Sequence, residues 1–417
     1  MPHLPQLLDE LQAALQAGDR ARARQLAHRI AQAIVLAQHD LGATERRLRE
    51  LQAELERPRL PTPDMPAHAL SRSGAEKSAA SPSATTEGIV YPVWFGTNRK
   101  PATSGSGFTA ERHPRTTLGR AEVFIPESHR FGEIGNPFWK RLLRLQRQDD
   151  RLKLQAVHRH AQPGDFYAEL QAEMAAVRSQ DGGGEPQALV FIHGFNVSFE
   201  EAAIRAAQIG CDLKLPGATA FFSWPSRGNV SAYPADEATI EASERAIANF
   251  LIDFHGRCGA AKLHVIAHSM GNRGFLRALQ RIAGDAQTRG RIRFGQIILA
   301  APDIDRDLFC DLAHLYREHA DRATLYTSRA DRPVHMSSTL HDAARAGYFM
   351  PYTVAAGVDT VEVPDFDIDL MGHSYFAQAE ALLHDIFDLI RHGSAPAQRQ
   401  RLKAMLAPEG AMWRIVA

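Results

Sequence analysis

Leu263-His264-Val265-Ile266-Ala267-His268-Ser269-Met270-Gly271-Asn272-Arg273 is an apolar strand that runs into small residues around a serine, then into the helical pattern Phe275 to Leu279. Strand, serine, helix is the order of a nucleophile elbow, a tight turn that strains the serine backbone and lifts Oγ clear of a sheet. Such a turn tolerates little bulk two positions before and two after the serine. Ala267 and Gly271 meet that demand, with alanine standing where glycine is usual. The helix that follows aims backbone N–H groups toward developing negative charge. A small-x-Ser-x-Gly match also occurs at ordinary loop serines, so its surroundings decide.

Upstream, Ala188-Leu189-Val190-Phe191-Ile192-His193-Gly194-Phe195-Asn196 is a second apolar strand ending in His-Gly. In lipase-like folds this turn makes the first half of an oxyanion hole. The backbone N–H of Phe195 is one expected donor and that of Met270 the other. His193 precedes the serine within a turn motif and reads as a hydrogen bonder that shapes the loop, not as a base.

A serine hydroxyl needs a histidine to take its proton and a carboxylate to fix that histidine's tautomer. In this architecture the chain order is serine, acid, histidine. His373, in Gly372-His373-Ser374-Tyr375-Phe376, follows the last expected strand and precedes the final expected helix, which makes it the candidate base. Ala323-Thr324-Leu325-Tyr326-Thr327-Ser328 reads as the penultimate strand, and Asp331 just beyond it is the favoured acid. Asp303, after the preceding strand, is the alternative acid; its other reading is a carboxylate that organises the loop or caps a helix near Arg306 to Leu312.

Nine β-rich segments alternate with helical patterns: Val90 to Phe95, Ala121 to Ile125, Lys153 to Val157, Ala188 to Ile192, Ala218 to Trp224, Lys262 to Ala267, Arg293 to Ala300, Ala323 to Thr327 and Val358 to Val363. Several are unbroken apolar runs, as strands buried on both faces must be. The expected fold class is α/β, a mainly parallel sheet with helices on both faces, over residues 89–395. Residues 1–57 repeat leucine and alanine at helical spacing around Gly18-Asp19, which predicts a helical hairpin or coiled-coil segment. It would either pack on its own body or carry association with a second copy or a protein partner. Residues 58–88, rich in Pro, Ser, Ala and Thr, read as a flexible, disordered linker, and 396–417 as a C-terminal tail.

With 417 residues the chain exceeds a minimal module, and 48 basic against 48 acidic residues leave a formal charge of zero. Nothing in that balance attracts a phosphate backbone, so nucleic acid is not an expected partner. Three separated cysteines, Cys211, Cys258 and Cys310, fit neither a disulfide framework nor a zinc cluster. No run approaches the ~18 apolar residues of a transmembrane segment, and the first residues lack a secretory core. A cytoplasmic protein with no cofactor and no metal is expected. His158 and His160 alternate on a strand but find no third ligand at a convincing spacing, and Gly182-Gly183-Gly184 lacks the Lys-Ser/Thr of a phosphate loop. Phe199, Trp224, Tyr233, Phe349 and Tyr352 lie on loops or loop edges where this architecture places ligands, and are either a substrate pocket or core. Gly347 to Gly357 is either a lid or a rigid cover.

Taken in order, Val93-Trp94-Phe95-Gly96-Thr97-Asn98-Arg99-Lys100, Gly119 to Pro126, His193 to Phe199, Phe222-Ser223-Trp224-Pro225-Ser226, Ala267 to Arg273, Ala300 to Asp305 and Gly372 to Phe376 resemble a known group. It is the bacterial esterase/lipase-superfamily α/β hydrolases grouped as domain of unknown function number nine hundred. The resemblance spans about residues 89 to 391 and leaves out the helical start and the linker. It implies an α/β-hydrolase fold with a Ser269, Asp331, His373 triad, in a family without a settled substrate. The expected chemistry is cleavage of a small-molecule carboxylic ester through an acyl-enzyme. The alternatives are a lipase, thioesterase, amidase or peptidase with the same triad, or a non-catalytic scaffold that recruits partners through its N-terminal helices.

Overall fold

The computed structural model describes residues 22, 88–127, 129, 152–179, 185–228, 232–328, 343–348, 351–363 and 376–416. Apart from Arg22, the expected hairpin of residues 1–57 lies outside them, as does the expected linker apart from Gly88. The strands are β1 (Gly88–Pro101), β2 (Phe108–Pro126), β3 (Lys153–Arg159), β4 (Gln187–Ile192), β5 (Gly217–Ser223), β6 (Lys262–His268), β7 (Phe294–Ala300), β8 (Ala320–Ser328), β9 (Asp359–Val363), β10 (Leu402–Ala407) and β11 (Gly410–Ile415). They form one sheet in the order β3-β2-β1-β5-β4-β6-β7-β8-β9-β11-β10. β2 runs antiparallel to both of its neighbours and β10 to β11, and every other pairing is parallel.

Alternation along the central strands splits the apolar residues between two cores. Val190, Ile192, Val265, Ala267, Ile297 and Leu299 face one side. Leu189, Phe191, Ile266, Ile298 and Ala300 face the other. The first side is covered by α1 (Pro163–Arg178), α3 (Tyr233–Ala242), α4 (Glu244–Arg257), α5 (Gly271–Gly284) and α6 (Arg306–His319), which supply Phe166, Ile240, Phe254, Phe275 and Phe309. The second is covered by α2 (Phe199–Leu213) and α7 (Phe376–His392), through Ala203, Ile209, Leu382 and Ile386. This is the α/β-hydrolase fold, and its elements belong to a compact unit spanning Glu87–Ala417.

Helix starts are fixed by side chains. α2 opens on a capping box in which Ser198 Oγ accepts from Glu201 N–H at 3.2 Å and Glu201 Oε2 accepts from Ser198 N–H at 2.8 Å. α6 is capped by Asp305, whose Oδ1 accepts from Asp307 N–H and Leu308 N–H at 3.0 Å, so of the other readings of Asp303 the helix cap is taken by Asp305. After β4 the chain turns to α2 on one face, and after β6 to α5 on the opposite face. The crevice beyond the carboxyl ends of β4 and β6 is therefore the switch point where such sheets bind ligands.

Residues 396–416, within the expected tail, carry secondary structure. They form a 3₁₀ turn (Pro396–Gln398) and the hairpin β10–β11, with β11 parallel to β9 through Trp413↔Val361 and Arg414↔Glu362. Their strand pattern is half exposed, so no continuous apolar run betrays it. Among the described residues no helix is long and apolar enough to cross a membrane.

Candidate active site

The turn between β6 and α5 holds Ser269 with φ 47°, in the left-handed region that side chains avoid at a cost of about 1–2 kcal/mol. Hydrogen bonds hold it there. Ser269 N–H donates to Ala300 O (2.9 Å), and Ser269 O accepts from Asn272 N–H (3.1 Å), Asn272 Nδ2 (3.1 Å) and Asp303 N–H (3.2 Å). Asn272, fully buried, also donates from Nδ2 to Ala267 O (3.0 Å) and Ala300 O (3.3 Å), tying the elbow to β6 and β7. A Cβ on Gly271 would lie 2.4 Å from His193 O and 2.7 Å from Ile192 O, so only glycine lets α5 start this close to β4. A Cβ on Gly194 would lie 3.0 Å from Ser269 Cβ, which brings the His193-Gly194 turn directly against the serine.

That turn is fixed from behind. His193 is buried, with Nδ1 2.8 Å from Gly194 O and Nε2 3.2 Å from Ser223 Oγ. The Trp224 indole stacks on its ring at 5.1 Å and donates Nε1–H to His193 O at 2.8 Å. Burial, helped by the Arg99 charge, pushes the His193 pKa down to about 3, so the ring is neutral and both of its nitrogens are occupied. Phe195 follows Gly194 and Met270 follows Ser269, and among the described residues neither backbone N–H has a backbone acceptor.

Asp303 sits beneath the elbow, 1% exposed. Its carboxylate accepts from Tyr233 OH and from Arg273 Nη2 (3.2 Å), and lies 3.6 Å from Arg345 Nε. Arg273 also bonds Glu237 and Asp303 O. Burial opposes the Arg273 charge, but Asp303, Tyr233 and Glu237 outweigh it and raise its pKa above the ordinary range. Asp303 is thus the hub of a buried network that fixes α3, α5 and the loop before α6.

Among the expected site residues, the structure brings together Ser269, Phe195, Met270 and Asp303. Asp331, His373 and Phe349 lie outside the described residues. Three of the aromatics offered as pocket or core take the core position. Trp224 is fully buried behind His193; Phe199 packs among Phe95, Phe108 and Phe221; and Tyr352 joins Ala407 and Met412 under the C-terminal hairpin. Tyr233, 3% exposed, packs edge-on against Phe195 at 5.2 Å and spends its hydroxyl on Asp303. Loop location alone does not separate pocket from core, because large aromatics at strand ends also seal the core.

Sequence reasoning missed Arg99, Ser223, Ser226 and Asp236, all buried around the back of the His193 turn. Ser226 Oγ donates to Asp236 Oδ2 (2.5 Å) and accepts from Val197 N–H (3.2 Å). The available signal was the charge of Arg99 at the end of an otherwise uncharged β1 core, Val93 to Asn98.

A switch-point elbow on a parallel sheet with helices on both faces places the molecule in the class of α/β hydrolases. Residues 168–392, more than half of the chain, match the family described as alpha/beta hydrolase of unknown function (DUF900), and the protein belongs to that family. No curated protein matches it. Among solved structures it is similar to an uncharacterized protein from Bacillus cereus ATCC 10987 (13% identity, TM-score 0.34, 54% of this chain and 67% of that one). It is also similar to a putative hydrolase from Agrobacterium vitis S4 (12%, 0.32, 73% and 98%) and to an esterase from Pyrobaculum calidifontis (12%, 0.30, 73% and 84%).

Proposed function

We propose that the protein is a serine hydrolase that cleaves small carboxylic esters through an acyl-enzyme. The observation that carries this reading is Ser269 in a left-handed elbow, packed against the Gly194 turn at the switch point of the sheet. In the proposed cycle Ser269 Oγ attacks the ester carbonyl while His373 takes its proton. The N–H groups of Phe195 and Met270 receive the oxyanion, each such donor being worth roughly 3–4 kcal/mol in the transition state. His373 returns the proton to the departing alkoxide. Water, activated by the same histidine, then releases the acid and restores Ser269.

Chain position supports the remaining assignments. Asp331 follows the last residue of β8 by three positions, and His373 precedes the first residue of α7 by three. β8 and β9 run parallel to β6, so the loops after them leave from the same rim of the sheet as Ser269. The full engagement of the Asp303 carboxylate with Tyr233, Arg273 and Arg345 favours Asp331 as the acid. A fluorophosphonate probe tests the whole reading: wild type is expected to label and Ser269→Ala not to. A folded wild type that stays unlabelled and inactive across ester, thioester and amide panels would overturn it.

A further inference from the structure

Arg99 is 1% exposed on β1 and is in no ion pair among the described residues. Its guanidinium instead donates from Nε to Ser223 Oγ (2.8 Å), from Nη1 to Ser226 O (3.0 Å) and from Nη2 to Val197 O (2.7 Å). Burial pushes its pKa down to about 9, against the pull of Asp236 and Glu201, which leaves it charged at neutral pH. A buried cation held by uncharged acceptors is costly, and an apolar residue of similar volume would serve packing as well. A longer contact runs from Nη1 to Thr109 O of β2 (3.5 Å), while the three shorter acceptors come from the end of β5, the loop after it, and the loop between β4 and α2. These three segments surround the turn that carries Phe195.

The hydrogen atoms in this cluster run one way. Nδ1 of His193 lies 2.8 Å from Gly194 O, which can only accept, so Nδ1 carries the ring hydrogen. In a neutral imidazole Nε2 then accepts, and its neighbour at 3.2 Å is the Ser223 hydroxyl, whose oxygen already accepts from Arg99. The path is Arg99 Nε–H to Ser223 Oγ, Ser223 O–H to His193 Nε2, and His193 Nδ1–H to Gly194 O. The carbonyl at its end and the N–H of Phe195 belong to one trans peptide and point in opposite directions. Anchoring the oxygen to the relay aims the N–H away from it. Drawing electron density toward that oxygen also makes the N–H a stronger donor, by ~10–30% per bond in a hydrogen-bonded chain. Trp224 holds the preceding carbonyl, His193 O, so two successive peptides are fixed.

We propose that Arg99, Ser223 and His193 are positioning residues forming a one-way relay that aims and polarises the Gly194–Phe195 peptide as an oxyanion donor. This rests on the hydrolase reading of Ser269. The relay acts on charge that exists only in the transition state, so breaking it should lower kcat and leave KM alone.

Ser223→Ala removes one oxygen from the middle of the path. For a p-nitrophenyl ester it is expected to lower kcat about tenfold, less than deleting a donor outright, with KM within about twofold. A trifluoromethyl ketone, whose hemiketal with Ser269 places an oxyanion in the same hole, should lose affinity by the same factor. A folded Ser223→Ala with unchanged kcat, or with its defect confined to KM, overturns the relay while wild-type labelling by the fluorophosphonate keeps the hydrolase reading. A wild type that neither labels nor turns over removes both. Nitrogen-15 spectra of wild-type His193 give a readout independent of variant folding. A neutral Nδ1–H ring supports the path, and an Nε2–H ring overturns it.

Discussion

Ser269 keeps its left-handed backbone because its carbonyl and amide are both held, and the tightest constraint on that arrangement is Gly271. Gly271→Ala drives a methyl group into two carbonyl oxygens of the β4 end. It is expected to lower stability by about 1–3 kcal/mol and to depress turnover further by displacing Met270; a urea melt beside a single-turnover acylation rate separates the two effects. The acid is settled by paired asparagine variants. Asp331→Asn should reduce kcat by up to about 10⁴, whereas Asp303→Asn should mainly lower the melting temperature by loosening Tyr233 and Arg273. The reverse pattern would move the acid to Asp303. The elbow was legible in the sequence because all its requirements sit within a few consecutive residues. Arg99 was not, because its three shorter hydrogen bonds go to acceptors 98, 124 and 127 residues away, which meet it only once β1 pairs with β5.

At the scale of elements, the C-terminal hairpin is bound by charge as well as by pairing. Arg399 is buried against Asp385 of α7 and Tyr326 of β8, donating from Nε to Asp385 Oδ1 at 2.9 Å and from Nη2 to Tyr326 OH at 2.7 Å. Arg414 donates to the buried Glu362 of β9 at 2.6 Å. Arg399→Leu strands a buried carboxylate and should cost about 3–5 kcal/mol in chemical denaturation. Adding Asp385→Leu should recover much of the loss, a coupling that two independent surface effects would lack. The segment Gly347 to Gly357 is pinned by Gly347 N–H on Pro302 O (2.9 Å), Arg306 Nε on Tyr352 O (3.2 Å) and Thr360 Oγ1 on Thr353 O (2.6 Å). For its described part these bonds favour the rigid cover over the lid. Hydrogen exchange there should be unchanged when a fluorophosphonate occupies Ser269, and marked slowing on labelling would restore the lid. Strands β1 to β9 could be read in advance because apolar runs and periodicity identify them. β10 and β11 could not, since a half-exposed edge hairpin carries no unbroken apolar run.

The whole molecule should lose stability in mild acid. Burial, with Arg99, pushes the His193 pKa to about 3, and burial, with Lys262, pushes that of His264 to about 4, both from 6.5. Because the folded values lie below the unfolded one, the unfolded chain takes up these protons first. Their contribution is complete above about pH 6.5 and is lost as pH falls toward 4 for His264 and toward 3 for His193. Each site weakens the fold by about 1.4 kcal/mol per pH unit in that window, so urea melts at pH 7 and pH 5 should differ by roughly 3–4 kcal/mol. His264→Gln should remove about half of that difference. The division of the apolar residues between two sides of the sheet has a separate consequence. Leu276 and Leu382 lie in different cores with the strands between them. Truncations on opposite sides should therefore be thermodynamically blind to each other, with Leu276→Ala and Leu382→Ala summing to within about 0.5 kcal/mol in the double variant. The sheet acts as an insulating partition, and either compartment can be redesigned without renegotiating the other.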